Sequence, residues 1–305
     1  MAMQRDGYTD IHAHVLPGLD DGPPDMAASL RLLQTFANRQ VSRVFCTSHY
    51  LSPHFQVDLA QLAAAYQALQ EARATTPVAP EDDLANREVA PTEMVMADQI
   101  AQGQATGLTA QPGYPELAPG AEVRLANGIA DAIREGRVPT LGNTRYVLVE
   151  FPSTNIPDEA LNWVYELTVR GYQPIMAHPE RNLAVQKRPD IIHTLLDAGL
   201  LLQLTAACLT TPPERRHKAD ELAWDILRAG HAAVIASDAH DPHVRAPLLA
   251  DAYAAVRGEL GDVVCEALIA NADAIWQGEA CQPVPPTPPK RRRFSLPWSR
   301  AKQKA

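Results

Sequence analysis

Short apolar runs alternate with amphipathic segments along most of this chain, in the order strand then helix. Tyr8–His12, Val41–Thr47, Gly120–Arg124, Arg145–Glu150, Tyr172–Ala177, Leu200–Thr205 and Ala232–Ala236 read as seven strands. In Val147-Leu-Val-Glu150 and Ala233-Val-Ile-Ala236 the apolar positions are contiguous, as in strands buried on both faces. Helix-period segments lie between them, at 26–38, 59–73, 128–135, 157–170, 189–198, 215–229 and 248–259. Gly171, Gly199 and Gly230 fall where helix C-terminal caps belong, each just before the next strand. Repeated strand–helix alternation predicts a parallel α/β barrel or a doubly wound sheet.

Two segments break the rhythm. Residues 75–119, rich in Pro, Ala, Gln and Gly, have no clean period and exceed an ordinary βα connection. They read as a flexible excursion or insertion with one short helix near Glu93–Ala101. From about Glu279 the chain turns Pro-rich and then basic, a composition that cannot build a packed core. The expected organisation is therefore a domain over 1–278 followed by a disordered tail over 279–305.

Composition narrows the function. The chain has 305 residues, 46% of them hydrophobic, enough for one large core. No run approaches the ~18 apolar residues of a membrane span, and Met1–Thr9 lacks a signal-peptide core. Cys46, Cys208, Cys265 and Cys281 are scattered without a CxxC pair, so a reducing cytoplasm is the natural location. The net charge is −9, but residues 290–305 carry seven Lys or Arg and no acid, which leaves −16 on the rest. A body that acidic repels nucleic-acid phosphates, and no nucleic-acid role is expected.

The chemistry collects at strand ends, the face where parallel α/β barrels gather side chains into one site. Asp10-Ile-His12-Ala-His14 ends the first strand, and period-2 spacing aims both imidazoles the same way. Asp21 follows in a Pro-Gly-Leu-Asp-Asp-Gly turn; His49 ends the second strand; Glu122 lies in the third; Glu150 ends the fourth. His178 ends the fifth strand, in Ala-His-Pro-Glu-Arg, and Asp238 and His240 end the seventh. A lone strand-end His is usually a hydrogen-bonded core or surface residue, and it is the recurrence that argues for metal. Imidazole with abundant carboxylate and no thiolate suits Mn²⁺, Fe²⁺ or Zn²⁺, with Mn²⁺ or Fe²⁺ favoured over a structural zinc. So many ligands exceed the needs of one ion.

Taken in order, Asp-Ile-His-Ala-His-Val-Leu-Pro-Gly-Leu-Asp-Asp-Gly, Thr-Ser-His-Tyr, Glu-Val-Arg-Leu, Val-Glu-Phe-Pro, Ala-His-Pro-Glu-Arg and Ala-Ser-Asp-Ala-His resemble the polymerase and histidinol phosphatase (PHP) family. The similarity is greatest to its CpsB/YwqE branch, bacterial manganese-dependent tyrosine-protein phosphatases of capsule and exopolysaccharide loci. That resemblance implies a distorted (β/α)₇ TIM-like barrel with a trinuclear site, and two or three Mn²⁺ ions are the expected cofactor, with Fe²⁺ or Zn²⁺ as alternatives. It implies His12, His14, Asp21, His49, Glu122, Glu150, His178, Asp238 and His240 as ligands, with Glu150 bridging. Arg181 and Arg245 match two family arginines that hold substrate phosphate, a role suited to a planar fork that never deprotonates. Cys208 stands where the family often has Ser.

The expected reaction is hydrolysis of phosphotyrosine by a hydroxide bridging the metal ions, with Asp238 or His240 as candidates to protonate the leaving phenolate. A thiol mechanism is set aside, because the sixth residue after each Cys is Ser52, Glu214, Asn271 or Thr287, never Arg. The partner implied is a phosphotyrosine protein, a membrane tyrosine kinase of polysaccharide export. Lys290-Arg-Arg-Arg-Phe-Ser-Leu-Pro-Trp298 has the composition of a peripheral membrane anchor, and equally that of a solvated tail. A small-molecule phosphatase such as histidinol phosphatase is the alternative reading, and a non-catalytic metal-bound scaffold a weaker one.

Overall fold

The computed structural model describes residues 7–77 and 113–287. Its strands are β1 (Tyr8–Ala13), β2 (Val41–Cys46), β3 (His49–Tyr50), β4 (Glu116–Pro119), β5 (Glu122–Arg124), β6 (Tyr146–Glu150), β7 (Gln173–Ala177), β8 (Leu201–Thr205) and β9 (Val234–Ala236). All pair in parallel, as β1-β2-β4 and as β3-β5-β6-β7-β8-β9. Only Thr47-Ser48 separates β2 from β3, and Gly120-Ala121 separates β4 from β5, so each pair continues one line. Thr47 N–H donates to Ala13 O (2.9 Å) and Glu122 N–H to Thr47 O (3.2 Å) across the breaks. Seven strand lines result among the described residues. The seam between last and first is crossed by Asp238 N–H to His12 O (2.8 Å) and His14 N–H to Ala239 O (2.9 Å). This is the distorted seven-stranded α/β barrel expected from the sequence.

The helices are α1 (Met26–Asn38), α2 (Leu59–Thr75), α3 (Ile129–Arg134), α4 (Ala160–Val169), α5 (Leu183–Lys187), α6 (Ile191–Asp197), α7 (Ala206–Thr210), α8 (Lys218–Arg228), α9 (Leu249–Leu260) and α10 (Asp262–Gln277). Gly171, Gly199 and Gly230 end α4, α6 and α8 with φ of 84°, 96° and 74°. Each glycine N–H bonds the carbonyl three residues back, and the next residue's N–H bonds the carbonyl five back; Gly171 to Thr168 O and Tyr172 to Leu167 O are one such pair. The chain thereby reverses into β7, β8 and the segment leading to β9.

Register explains what lies under the strand ends. Glu122 pairs with His49 and Leu148, Leu148 with Ile175, and Gln203 with Ala177 and Val234. Paired residues share a sheet face. Polar Glu122, His49 and Gln203 therefore share theirs with Leu148, Ile175 and Val234, which form a buried cluster with Ile11, Phe45, Tyr146 and, from α10, Ala272 and Ile275. A larger core packs the outer strand faces against the helices, with Leu32, Leu33, Phe36, Trp224 and Tyr253 fully buried. Among the described residues no helix is long and apolar enough to cross a membrane.

Three sequence expectations need correction. Residues 116–119 are strand rather than excursion, because β4 completes the third strand line against Arg43–Cys46, and α2 extends to Thr75. The helix expected near Glu93–Ala101 lies outside the described residues. Asp262–Gln277 is a helix the strand–helix count omits, although buried Val264, Cys265, Leu268, Ile269, Ala272 and Ile275 carry its period. Finally, residues 279–287 do not hang free. Val284 is 5% exposed, Gln282 N–H donates to Asn271 Oδ1 (2.7 Å), Cys281 N–H to Tyr146 Oη (3.1 Å) and Thr287 N–H to Arg228 O (2.8 Å). Polar groups on the body satisfy this backbone without a ladder. The basic residues 290–304 lie outside the described residues.

Candidate metal centre

The site forms where β1 delivers two imidazoles into a ring of carboxylates. His12 Nδ1 lies 2.9 Å from Gln203 Oε1, and His14 Nδ1 lies 2.8 Å from Asp20 Oδ2. Both oxygens only accept, so each Nδ1 carries the proton and each Nε2 presents a lone pair. The two Nε2 atoms face each other at 3.2 Å. Glu122 Oε2 lies 3.4 Å from both, and Asp238 Oδ1 lies 3.4 Å from His12 Nε2 and 3.6 Å from His14 Nε2. All four side chains are essentially buried, and Glu122 Oε2 has no hydrogen-bond donor. Imidazole nitrogens and carboxylate oxygens packed this closely in a dry pocket need a proton or a cation between them, and a divalent cation can serve several of them at once.

His240 repeats the arrangement. Its Nδ1 donates to Asp238 O (2.9 Å), which leaves Nε2 bare at 3.1 Å from Asp21 Oδ1. Four overlapping triads have donor atoms within 4.8 Å of one another: His12/His14/Asp238, His12/Glu122/His178, His14/Asp21/His240 and His14/His49/Glu122. Shared members mean the triads form one cluster, suited to more than one ion. The donor set is imidazole and carboxylate without thiolate, which fits Mn²⁺, Fe²⁺ or Zn²⁺ in a hydrolytic site.

Eight of the nine ligands expected from the sequence fall in these triads. Glu150 does not: its Oε2 lies 3.9 Å from His49 Nδ1 and 3.2 Å from Arg124 Nη2. The carboxylate at the centre is Glu122, within 3.4 Å of His12 and His14, 3.1 Å of His49 and 2.8 Å of His178. Two site residues hold left-handed backbone, His178 at φ 35° and Asp238 at φ 54°, at a cost of about 1–3 kcal/mol each. In return each turns sharply off its strand toward the cluster.

Both expected arginines are at the mouth. Arg181 Nη1 donates to Asp238 Oδ2 (2.6 Å); Arg245 Nη2 donates to the same oxygen (2.9 Å) and Nη1 to Asp21 Oδ2 (2.9 Å). The guanidinium side chains are 36% and 37% exposed, so their remaining N–H groups open on a pocket of about 200 Å³ lined also by Glu150, Phe151, Ser153 and Met176. Asp241 fixes the Arg245 loop by accepting from the backbone N–H of His243, Val244 and Arg245 at 2.7–3.0 Å.

Charge states follow from the surroundings. Burial alone would raise Asp238, yet His12, Arg181 and Arg245 outweigh it and hold the carboxyl below its ordinary range. Burial opposes protonation of His14, but Asp20 and Glu122 hold its pKa well above normal; a proton and a cation compete for the same lone pair. Burial pulls His49 down to about 4 and, helped by His14, lowers His240. Asp238 Oδ1 and His240 Nε2 both face the cluster as electron-pair donors.

The sequence reading missed the groups that hold the candidate ligands. Asp20, its side chain fully buried, accepts from His14 Nδ1, from His49 N–H (2.9 Å) and from Gly22 N–H (3.0 Å). Asp10 accepts from His12 N–H and Ser237 N–H, tying β1 to the end of β9, and burial raises its pKa to about 6. Phe55 stacks on His49 with ring centroids 5.1 Å apart. The doubled Asp20-Asp21 and the period-2 triplet Asp10/His12/His14 were signals for the first two; nothing in the sequence marked Gln203 or Phe55.

A parallel barrel with such a buried imidazole–carboxylate array and guanidinium groups at its mouth is the arrangement of a metal-dependent hydrolase. The chain belongs to the CpsB/CapC family of capsular polysaccharide synthesis, whose family model matches residues 8–80 and 87–277, including most of the stretch the sequence reading treated as an excursion. It is 26% identical over 285 residues to the tyrosine-protein phosphatase YwqE of Bacillus subtilis, covering 93% of this chain and 98% of that protein. The putative tyrosine-protein phosphatase CapC of Staphylococcus aureus is 29% identical over 231 residues, 76% of each chain. A structure from a study of YwqE and of CpsB from Streptococcus pneumoniae superposes with a TM-score of 0.74 at 24% identity, over 93% of this chain and all of that one.

Proposed function

We propose that this protein is a metal-dependent protein-tyrosine phosphatase, with His12, His14, Asp21, His49, Glu122, His178, Asp238 and His240 holding two or three divalent cations, Mn²⁺ foremost, and Glu150 at the edge of the cluster. The convergence of bare His12 and His14 Nε2 atoms on Glu122 and Asp238 carries the reading, and membership of a family with tyrosine-phosphatase relatives supplies the ester. Bound cations lower the pKa of a coordinated water toward neutrality and polarise a phosphoryl oxygen.

The chain's own groups supply the rest. Gln203 and Asp20 fix the tautomers of His12 and His14, and Asp10 fixes the strand that carries them. Arg181 and Arg245 take phosphate oxygens with the N–H groups their carboxylates leave free, and they stabilise charge on the equatorial oxygens in the transition state. Phenolate, with a conjugate-acid pKa of about 10, is a good enough leaving group to depart without a dedicated acid. That suits Asp238 and His240 as charge and electron-pair donors. A phosphorylated tyrosine kinase of polysaccharide export, at the inner face of the membrane, is the partner this reading favours, with the basic tail as a contact to anionic lipid.

Phosphate release from a phosphotyrosine peptide and from histidinol phosphate, with Mn²⁺ and after chelation, tests the reading. Metal-dependent turnover of the peptide, lost in His12→Ala and Asp238→Ala, is expected. Preference for histidinol phosphate would transfer the function to small esters.

A further inference from the structure

Directly after Arg181 stands a pocket residue that the proposed chemistry does not use. Asn182 lines the same pocket, is 4% exposed, and places every hydrogen-bonding position of its amide on backbone. Its Oδ1 accepts from Ala184 N–H (2.9 Å) and Val185 N–H (3.2 Å), which caps α5. Its Nδ2 donates to Pro152 O (2.8 Å) and Asn155 O (3.3 Å), on the loop after β6. Two N–H groups on one side and two carbonyls on the other fix which way the amide faces. Ser or Asp would meet the cap equally well. The two donors are what only the amide supplies.

Those donors join two parts of the pocket. The β6–β7 pairing ends at Val149 and Met176, so residues 151–155 have no ladder to hold them, yet Phe151 and Ser153 line the pocket. Three hydrogen bonds tie this loop to the turn that carries His178 and Arg181: the two from Asn182 Nδ2, and Leu183 N–H to Ser153 O (2.8 Å). Leu183 opens α5, where an N–H has no acceptor within its own helix, so the third bond exists only while the loop is in place. The turn has a separate anchor. Glu180 is fully buried and accepts from Thr205 N–H (2.8 Å) at the end of β8, and its carbonyl accepts from Gln186 Nε2 (2.8 Å). Loss of the Asn182 donors therefore releases the loop and leaves Arg181 held.

The candidate metal ligands and the two arginines suit phosphoryl oxygens, which leaves Phe151, Ser153, Met176 and Ala177, neutral and mostly apolar, to the organic part of an ester. Met176 and Ala177 are fixed by the sheet, through pairing with Leu202 and Gln203. Phe151 and Ser153 are not. We propose that Asn182 is a positioning residue for substrate: by holding residues 152–155 against the Arg181 turn, it sets the pocket wall on which the organic group of the phosphate ester rests. The inference rests on the phosphatase reading and deepens it by assigning where that group is held.

Steady-state kinetics of the full Mn²⁺-loaded chain on p-nitrophenyl phosphate, with inorganic phosphate as inhibitor, test it in wild type and in Asn182→Ser, which keeps a capping oxygen and removes both Nδ2 donors. KM for the ester is expected to rise about three- to tenfold, the net contribution of about one hydrogen bond, while the inhibition constant for phosphate changes less than about twofold. Partial loss of fold would lower kcat through the active fraction and leave KM where it was. Amide exchange at Leu183, resolved by fragmentation mass spectrometry, is expected to quicken about tenfold or more, with Val185 still protected by the cap. An unchanged KM, or a KM and a phosphate constant that rise together, overturns the positioning role and leaves the phosphatase standing. Should the serine variant fail to fold, Asn182→Asp also caps and also lacks the donors, and Leu183 exchange equal to wild type in that variant overturns the role. No turnover by wild type overturns the phosphatase reading and the positioning role with it.

Discussion

Asp20→Asn should weaken metal binding although Asp20 belongs to none of the donor triads. Its two oxygens take three hydrogens, from His14 Nδ1 (2.8 Å), His49 N (2.9 Å) and Gly22 N (3.0 Å), and its side chain is fully buried. Asparagine keeps one of those oxygens and turns an N–H₂ toward at least one of the donors. If the oxygen stays with Gly22 N–H, in the Oδ1 place, the N–H₂ takes the Oδ2 place that His14 Nδ1 and His49 N–H share, His14 loses the partner that keeps its proton on Nδ1, and its Nε2 is no longer reserved for a cation; in the other orientation His14 keeps an oxygen but loses the charge on it. A hydrogen bond to a charged group contributes about 1.5–3 kcal/mol, or roughly 10–150-fold in an equilibrium constant. Groups that orient metal ligands are worth about 10–100-fold in affinity, which agrees. Titration calorimetry of Mn²⁺ into metal-free protein should therefore give a Kd raised about 10–100-fold in Asp20→Asn, with a normal circular dichroism spectrum. A Kd within threefold of wild type would refute the argument that Asp20 sets the His14 tautomer.

Arg181→Lys keeps the charge beside Asp238 but loses the planar fork; kcat/KM on an aryl phosphate should fall by about 10–100-fold, with the inhibition constant for inorganic phosphate rising in parallel and Mn²⁺ affinity little changed. Glu259 bridges Arg216 (3.1 Å) and Arg228, and although burial alone would raise its pKa, the two guanidiniums hold it below the usual range. Because the folded pKa lies below the unfolded one, this contribution is present above about pH 4.3 and fades as pH falls through the folded value. The Tm deficit of Glu259→Gln should accordingly be clear at pH 7 and shrink in melts below pH 4. Gly230→Ala introduces a Cβ 2.6 Å from Val284 O at φ 74°, so it should cost about 2 kcal/mol or more and lower Tm by about 4–8 °C; an unchanged Tm would mean that residues 284–286 are not packed there.

Much of the fold was legible because its signals are local. Contiguous apolar runs marked β6 and β9, and Gly171, Gly199 and Gly230 marked helix ends with the conformation that only glycine takes freely. Residues 116–119 were hidden because Glu-Leu-Ala-Pro has no strand period; its identity comes from pairing with β2, a tertiary fact. The candidate ligands were legible because strand ends converge by topology, so recurrence of His and carboxylate there was informative. Gln203 was not, since its role depends on which ring nitrogen it meets, and no spacing encodes that; Asp20 was signalled only by standing beside Asp21. Glu150 shows the converse: its place at a strand end is right, yet Arg124, its register partner, draws its carboxylate to the edge of the cluster.

Several cations are expected around Glu122, between His12, His14, His49, His178, Asp238 and His240. Anomalous diffraction at the manganese edge from crystals grown with Mn²⁺ tests this most directly. Two or three peaks clustered around the Glu122 carboxylate, reduced or lost in Glu122→Gln, are the predicted result. A single peak elsewhere, or none in crystals that hold Mn²⁺ at other positions, would contradict it.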